Sequence, residues 1–461
     1  MTTTSRPREL TLRTYQVGFG DCFLLTFHYA PEEGDDRHVL IDFGSTEAPE
    51  GAPSRGDMLL KVAEDIRERC KGKLHAVVAT HRHADHINGF ATKKKGRSSG
   101  KVISDCGPDL VVQPWTEHPD APSDPLVVTK TLDDGMAFFS SLAAMHEISD
   151  VALKASQRLA ASPGCRRAVL DQLRLLSLNN QGDKDPANKS AIDNLTAMGN
   201  RPGARAVYVS YKEDSGLEAL LPGVKVHVLG PPTLDQSREI LKERSSAPDE
   251  FWQLYLGGNA GSWKRLSNTL RPAVEESEAL FPGSPASLAS KLAPPHTRWF
   301  IRRMNAVRSE QLLELVRVLD GVLNNTSVIL LFEIGKKKLL FPGDAQLENW
   351  SYALKNSDVQ ERERIEKLLK GTTLYKVGHH GSRNATPKSL WKLIDGPNLH
   401  SIVSTKAGKH GKVDRKTEVP RATLIEELRR HAFFSTQELE WVKGSDDPPP
   451  SRAFTIKLDE G

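Results

Sequence analysis

The stretch His81-Arg82-His83-Ala84-Asp85-His86 places three histidines and an aspartate within six residues, directly after the apolar run Ala76-Val77-Val78-Ala79. A short apolar run of that kind suits a buried strand, so the polar cluster falls at a strand end. Two further runs close in the same way. "LLFPGDA" sets Asp344 behind an apolar run, with Gly343 to permit a tight turn, and "YKVGHHGS" sets His379 and His380 behind another, followed by Gly381. Taken alone, a Gly-Asp turn or a His-His pair is common. Three metal-competent groups at the C-terminal ends of strands point instead to one shared site, because strand ends are where sheets of the α/β type build sites.

The rest of the chain fits that frame. "TLRTYQV" alternates apolar and polar residues like a half-buried strand, "CFLLTFHY" and "RHVLIDFG" read as two more, and residues 58–70 space Leu59, Leu60, Val62, Ala63 and Ile66 like one helix face. Strand, strand, strand, helix, strand predicts a mixed sheet with at least one helical layer. From 120 to 204 the pattern turns helical, and this segment reads as a helical insertion. "RAVYVSY" and "VKVHVLGPP" return to strand character. Residues 234–300 are polar and turn-rich and read as a second, loop-rich insertion or flap. The last third alternates strands with helices near 346–355, 360–370 and 420–431, and "AFTIKL" reads as a last strand. The whole, 1–461, reads as a single domain with two insertions, and no internal repeat is visible.

Composition narrows the function classes. The 461 residues carry a formal charge of only +4, so nothing in the balance calls for a mainly electrostatic partner such as duplex DNA. Cys22, Cys70, Cys106 and Cys165 form no CxxC pair, which speaks against a cysteine zinc site or a disulfide framework. The N-terminal residues lack the apolar core of a signal peptide, and no window of eighteen residues is apolar throughout. A cytoplasmic protein with no membrane partner is therefore expected.

Imidazole nitrogen and carboxylate oxygen suit borderline divalent metals. His81 and His83, at i and i+2 of an extended segment, point the same way and can grip one ion. Asp85 and His86 lie a turn further on and can reach a second. The motif resembles the HxHxDH signature of the metallo-β-lactamase superfamily, and Asp42 in "LIDFGS", Asp344 and His380 follow in that family's usual order. The finer resemblance is to the branch holding the hydrolase domain of the competence protein ComEC and the phosphorylcholine esterases. It rests on "VGFGD" (17–21), on Asn325, Ser327, Val328, Ile329 and Leu330, on the Gly-Asp-Ala turn and on "KVGHHGS".

The resemblance implies an α/β (α+β) fold, a four-layer αββα sandwich. It implies that His81, His83 and a third histidine hold one ion, that Asp85, His86 and His380 hold the other, and that Asp344 bridges both. Asp42 would orient the cluster from behind. Asp85, His379 and Asp42 would serve catalysis, His379 either replacing His380 as ligand or stabilising a leaving group or oxyanion. For the third histidine, His118 in "VVQPWTEHPDAP" follows a strand, whereas His146 lies in a helical pattern and His227 inside a strand; the branch also often lacks this ligand altogether.

Two ions about 3.5–4 Å apart lower the pKa of a shared water toward neutrality, which makes a hydroxide available for hydrolysis. Zinc is the leading metal, with manganese and iron as alternatives. The run "ATKKKGRSSGK" (91–101) puts five basic residues after the motif, as a solvated loop or as a rim steering a phosphate-containing substrate. The expected activity is a phosphodiesterase or nuclease. The alternatives are a lactone, amide or thioester hydrolase, and a binding or effector module whose insertions dock a protein partner.

Overall fold

The computed structural model describes residues 6–32, 34–93, 96–118, 152–157, 159–160, 165–181, 188–233, 236–237, 295–355, 358–382, 384–408 and 418–458. The chain divides into two compact units: Met1–Pro119, Asn188–Arg244 and Val322–Gly461 form one, and Asp120–Ala187 with Ser245–Gly321 the other. The second unit thus draws on the segments read as two insertions into a single domain.

The first unit contains two mixed sheets. Strands β1 (Glu9–Tyr15), β2 (Cys22–His28), β3 (Arg37–Phe43), β4 (Ala76–Val78), β5 (Leu110–Pro114) and β6 (Arg205–Val209) build one. Strands β7 (Lys225–Gly230), β8 (Ile329–Ile334), β9 (Lys337–Phe341), β10 (Leu374–Lys376), β11 (His400–Val403) and β12 (Ala432–Ser435) build the other. The final strand, β13 (Ser451–Lys457), returns to the first sheet beside β1, giving the orders 13-1-2-3-4-5-6 and 12-11-10-9-8-7. In each sheet an antiparallel meander of three strands, β1-β2-β3 or β7-β8-β9, is followed by three parallel strands. The repeat absent from the sequence is therefore present in the topology.

Side chains alternate as the strands require. Leu10, Leu12, Phe23, Leu25, Val39 and Ile41 of the first sheet and Leu330, Phe332, Leu339, Phe341 and Leu374 of the second share one buried apolar cluster. On the other face of the first sheet, Leu24, Leu40 and Val77 meet helices Arg55–Arg69, Ser99–Asp105 and Lys189–Gly199. On the other face of the second, Leu331, Leu340 and Tyr375 meet helices Leu347–Leu354, Val359–Leu369 and Lys388–Ile394. The helix Lys189–Gly199, inside the range read as the helical insertion, packs its Ala191, Leu195 and Met198 into the first unit.

In the second unit, Leu170, Leu173 and Leu176 of the helix Arg167–Gln181 pack with Ala152, Ala155, Leu312, Leu313 and Val316. The loop reading of 234–300 lies almost wholly outside the described residues, except that a 31-residue helix, Pro295–Asn325, begins at its end. Proline at the first helical position suits this start, since its missing N–H would be unpaired there in any case. Among the described residues, no helix is long and apolar enough to cross a membrane.

Two buried histidines set a pH limit on the first unit. His38 and His75 have ring centroids 5.9 Å apart, and the backbone N–H of His38 donates to His75 Nδ1 (3.0 Å). Burial pushes each pKa down to about 4. As pH falls below the ordinary value of about 6.5, the unfolded chain takes up these protons first, so stability drops between about pH 6.5 and 4 and levels off below. Denaturant unfolding at matched metal loading should show a smaller loss from pH 7 to pH 5 in His75→Gln than in wild type.

Candidate metal centre

Parallel pairing of β3 with β4 (Val39 opposite Ala76) and of β9 with β10 (Leu339 opposite Leu374) brings the C-terminal ends of each pair together. Asp42 and the histidine motif leave one sheet there, and Asp344 and the His-His pair leave the other. After β4 the chain stays extended to His83, whose carbonyl then accepts the N–H groups of His86 (3.0 Å) and Ile87 (3.1 Å), opening the short helix Ala84–Ile87. His81 and His83 thus sit on extended backbone, and Asp85 and His86 on one helical turn.

The six residues read as ligands on this motif and its partners are brought together and buried. Ligand atoms of Asp85, His86, Asp344 and His380 lie within 4.8 Å of one another. His86 Nε2 is 3.2 Å from Asp344 Oδ2, and His380 Nε2 is 3.1 Å from Asp85 Oδ2 and 3.5 Å from Asp344 Oδ2. His81 Nε2 stands 3.0 Å from His83 Nδ1, and the rings of His81 and His86 are 4.2 Å apart.

The outer nitrogens are fixed from behind. His86 Nδ1–H donates to Asp42 Oδ2 (2.8 Å), and His380 Nδ1–H donates to the Ser404 carbonyl (2.9 Å). These bonds turn Nε2 of both rings inward, the arrangement that orients histidine ligands in metal sites. Asp42 also accepts from the backbone N–H and the hydroxyl of Thr80, both at 2.7 Å.

His379 does not converge with the others. It is half-buried, its Nδ1 lies 2.9 Å from Ser382 Oγ, and Asn324 Nδ2 stands 3.5 Å from its Nε2. Of the His-His pair, His380 faces the cluster. His118 is exposed, packs edge-on against Tyr208 with centroids 4.8 Å apart, and is not in the converging group. His227 pairs with Glu333 (3.1 Å), and His146 lies outside the described residues.

Two charged residues were missed. Lys376, buried at the end of β10, pairs with Asp21, also buried, and stands 3.4 Å from Asp344 Oδ1. Lys376 lies two residues after Leu374 and shares its face, so strand alternation inside "LYKVGHH" was the available signal for a buried cation. Asp21 closes the "VGFGD" turn, a motif that carries the resemblance without implying a role for this carboxylate. Asp21, Asp42 and His86 also lie close enough to share an ion, but Lys376 already meets Asp21, and Thr80 and His86 occupy Asp42.

Burial opposes charge throughout the site, yet the neighbours decide the balance. Burial holds His81 well below its ordinary pKa. It works against the charge on His86, but Asp344, Asp42 and Asp21 outweigh it and lift that imidazole well above its usual value. It works likewise against the charge on Asp344, where His86, His380 and Lys376 prevail and lower the carboxyl. His379, with less acidic company, is pushed down to about 4 by burial.

The donor set fits a metal. It combines four imidazoles with two carboxylates, and among its buried atoms Asp85 Oδ1 has no hydrogen-bond partner. Buried polar atoms are rarely left so. Asp42 (φ 54°), His379 (φ 44°) and His380 (φ 51°) adopt left-handed backbone, three of the six such non-glycine residues described. Strain of this kind, about 1–3 kcal/mol each, gathers at functional sites.

The basic run contributes less than its composition promised. Arg97 pairs with Glu64 (3.1 Å) and Lys101 with Asp105, Lys93 is exposed, and Lys94 and Lys95 lie outside the described residues. Arg82, the only cation near Asp85 in sequence, pairs instead with Glu117 at 3.4 Å.

Comparison with protein-family models finds no match, and comparison with curated proteins finds none either.

Gly44 tests how tightly the backbone holds Asp85. A Cβ there would stand 2.5 Å from the Asp85 carbonyl carbon and 2.6 Å from the His86 nitrogen, with backbone on the receiving side. Gly44→Ala is expected to destabilise the fold by about 1–3 kcal/mol, as overpacking does, and, where the cluster holds a divalent ion, to weaken its uptake. Thermal melts and competition with a chromophoric chelator measure both.

Proposed function

We propose that this chain is a metal-dependent hydrolase of the metallo-β-lactamase type, acting on phosphodiester bonds. The observation that carries the metal reading is the convergence of Asp85, His86, Asp344 and His380 from the ends of two different sheets, buried and with Asp85 Oδ1 left without a hydrogen-bond partner. Two sheets around one shared core, each with helices on its other face, support the four-layer αββα reading.

His81, His83 and Asp344 would hold one divalent ion, and Asp85, His86, His380 and Asp344 a second, with zinc as the leading metal. Such ions supply Lewis acidity and water of lowered pKa. The chain's own residues do the positioning. Asp42 and the Ser404 carbonyl lock His86 and His380 with Nε2 inward. His379, neutral at pH 7, is held at Nδ1 by Ser382 and at Nε2 by Asn324; to stabilise negative charge developing on a substrate oxygen it would have to exchange one of these partners. The choice of phosphodiester over lactone, amide or thioester rests on the likeness of "VGFGD", the Gly-Asp-Ala turn and "KVGHHGS" to the competence-protein branch, since acids partner Arg97 and Lys101 of the basic run.

Purified protein loaded separately with zinc and manganese should turn over bis-p-nitrophenyl phosphate. His83→Ala, which removes a ligand from an otherwise intact loop, should fall to the rate of the chelated blank. Turnover of lactones or thioesters without any phosphodiester cleavage would keep the metal site and replace the bond.

A further inference from the structure

The ligand reading leaves Lys376 and Asp21 without a task. Both are buried, and a buried ammonium is costly unless its charge and protons are met. Lys376 meets three acceptors: Asp21, the Gly343 carbonyl at 3.0 Å and Asp344 Oδ1 at 3.4 Å. The same Oδ1 accepts the backbone N–H of His379 at 3.1 Å. Asp344 Oδ2 is the oxygen that faces His86 and His380. The two oxygens of Asp344 therefore have different partners, one a cation and an amide on β10 and its turn, the other the histidine ligands. Gly343, at φ 55°, sets the turn that presents Asp344 between them.

We propose that Lys376, anchored by Asp21, is a positioning residue that holds Asp344 with Oδ2 toward the metal ligands and keeps Oδ1 out of the metal's reach. The inference rests on the metal reading above and deepens it. Asp21 is the anchor rather than a ligand, because its carboxylate is taken by the ammonium. Without that anchor, Lys376 would keep only the Gly343 carbonyl and Asp344. Without Lys376, only the backbone N–H of His379 would hold Oδ1, and Asp344 would turn more readily to offer both oxygens.

The test uses the full-length protein, with zinc for affinity and cobalt(II) as the spectroscopic probe. The main variant is Asp21→Asn with Lys376→Met, which removes both charges together and leaves none buried alone. It should melt near the wild-type temperature, bind zinc roughly 10- to 100-fold more weakly, as loss of a partner behind a ligand typically does, and show displaced cobalt d–d bands. A merely structural ion pair would move the melting temperature and leave the cobalt bands in place. Wild-type zinc affinity with unchanged bands in the folded double variant overturns the proposal. If the double variant does not fold, Asp21→Asn alone replaces it, with the same band displacement expected and unchanged bands again decisive against the proposal. Wild-type protein that takes up neither ion overturns the metal reading and this inference with it.

Discussion

Four carboxylates, Asp21, Asp42, Asp85 and Asp344, are buried around the ends of β3, β4, β9 and β10 with one ammonium, Lys376, among them. Four formal negative charges against one positive leave a deficit of three that the interior must meet. The surrounding structure is arranged around that deficit. Four histidines line it, two of them with pKa values raised by the carboxylates. Lys376 is held at the end of a strand whose other residues are apolar. Carboxylates that would repel one another are spaced by imidazoles, and the oxygens of Asp42 and Oδ1 of Asp344 are tied to backbone or side-chain donors.

The two sheets supply this site in equivalent ways. In each, three antiparallel strands lead into three parallel ones. The third strand delivers an aspartate, Asp42 or Asp344, and the fourth delivers histidines, His81 and His83 or His380. The two aspartates then diverge in use. Asp42 is consumed by Thr80 and His86 and works behind the ligands, while Asp344 keeps one oxygen inward. The left-handed residues mark where the plan bends to fit the chemistry. Leu40 and Phe43, three apart in β3, both face the helices, because Asp42 at φ 54° interrupts the alternation.

Much of this was legible because a buried parallel strand is apolar on both faces and ends abruptly, so "AVVA", "LLF" and "LY" announced the strands whose ends carry the ligands. The motif from His81 to His86 was legible because its spacing is local. The choice between His379 and His380 was not, since both take left-handed backbone and only the bond from His380 to the Ser404 carbonyl, twenty-four residues away, selects one. Lys376 escaped because lysine is ordinarily a surface residue, and the burial of this one depends on Asp21, 355 positions earlier in the chain. The helix Pro295–Asn325 escaped altogether: in its first half "HTRWFIRR" carries three arginines around Trp299, which is 66% exposed. Its apolar spacing becomes regular only from Leu312 onward.

The charge deficit also says what must accompany metal uptake. It can be met by protons on His86 and His380 or by divalent cations, and the two compete for the same Nε2 atoms. A ligand imidazole has to give up its inward proton to accept an ion, so metal affinity falls as pH falls. Asp42 sharpens this competition. By accepting the Nδ1–H of His86 it stabilises imidazolium, yet the same bond makes the neutral ring a better donor and keeps the correct nitrogen inward. Lys376 does not enter the exchange, because Asp21 and Asp344 raise its pKa above the ordinary value for lysine despite its burial. On the proposed reading the site separates a permanent positive charge, which would set geometry, from exchangeable positive charge, which would bind and leave. Such a division lets one carboxylate, Asp344, serve both at once through its two oxygens.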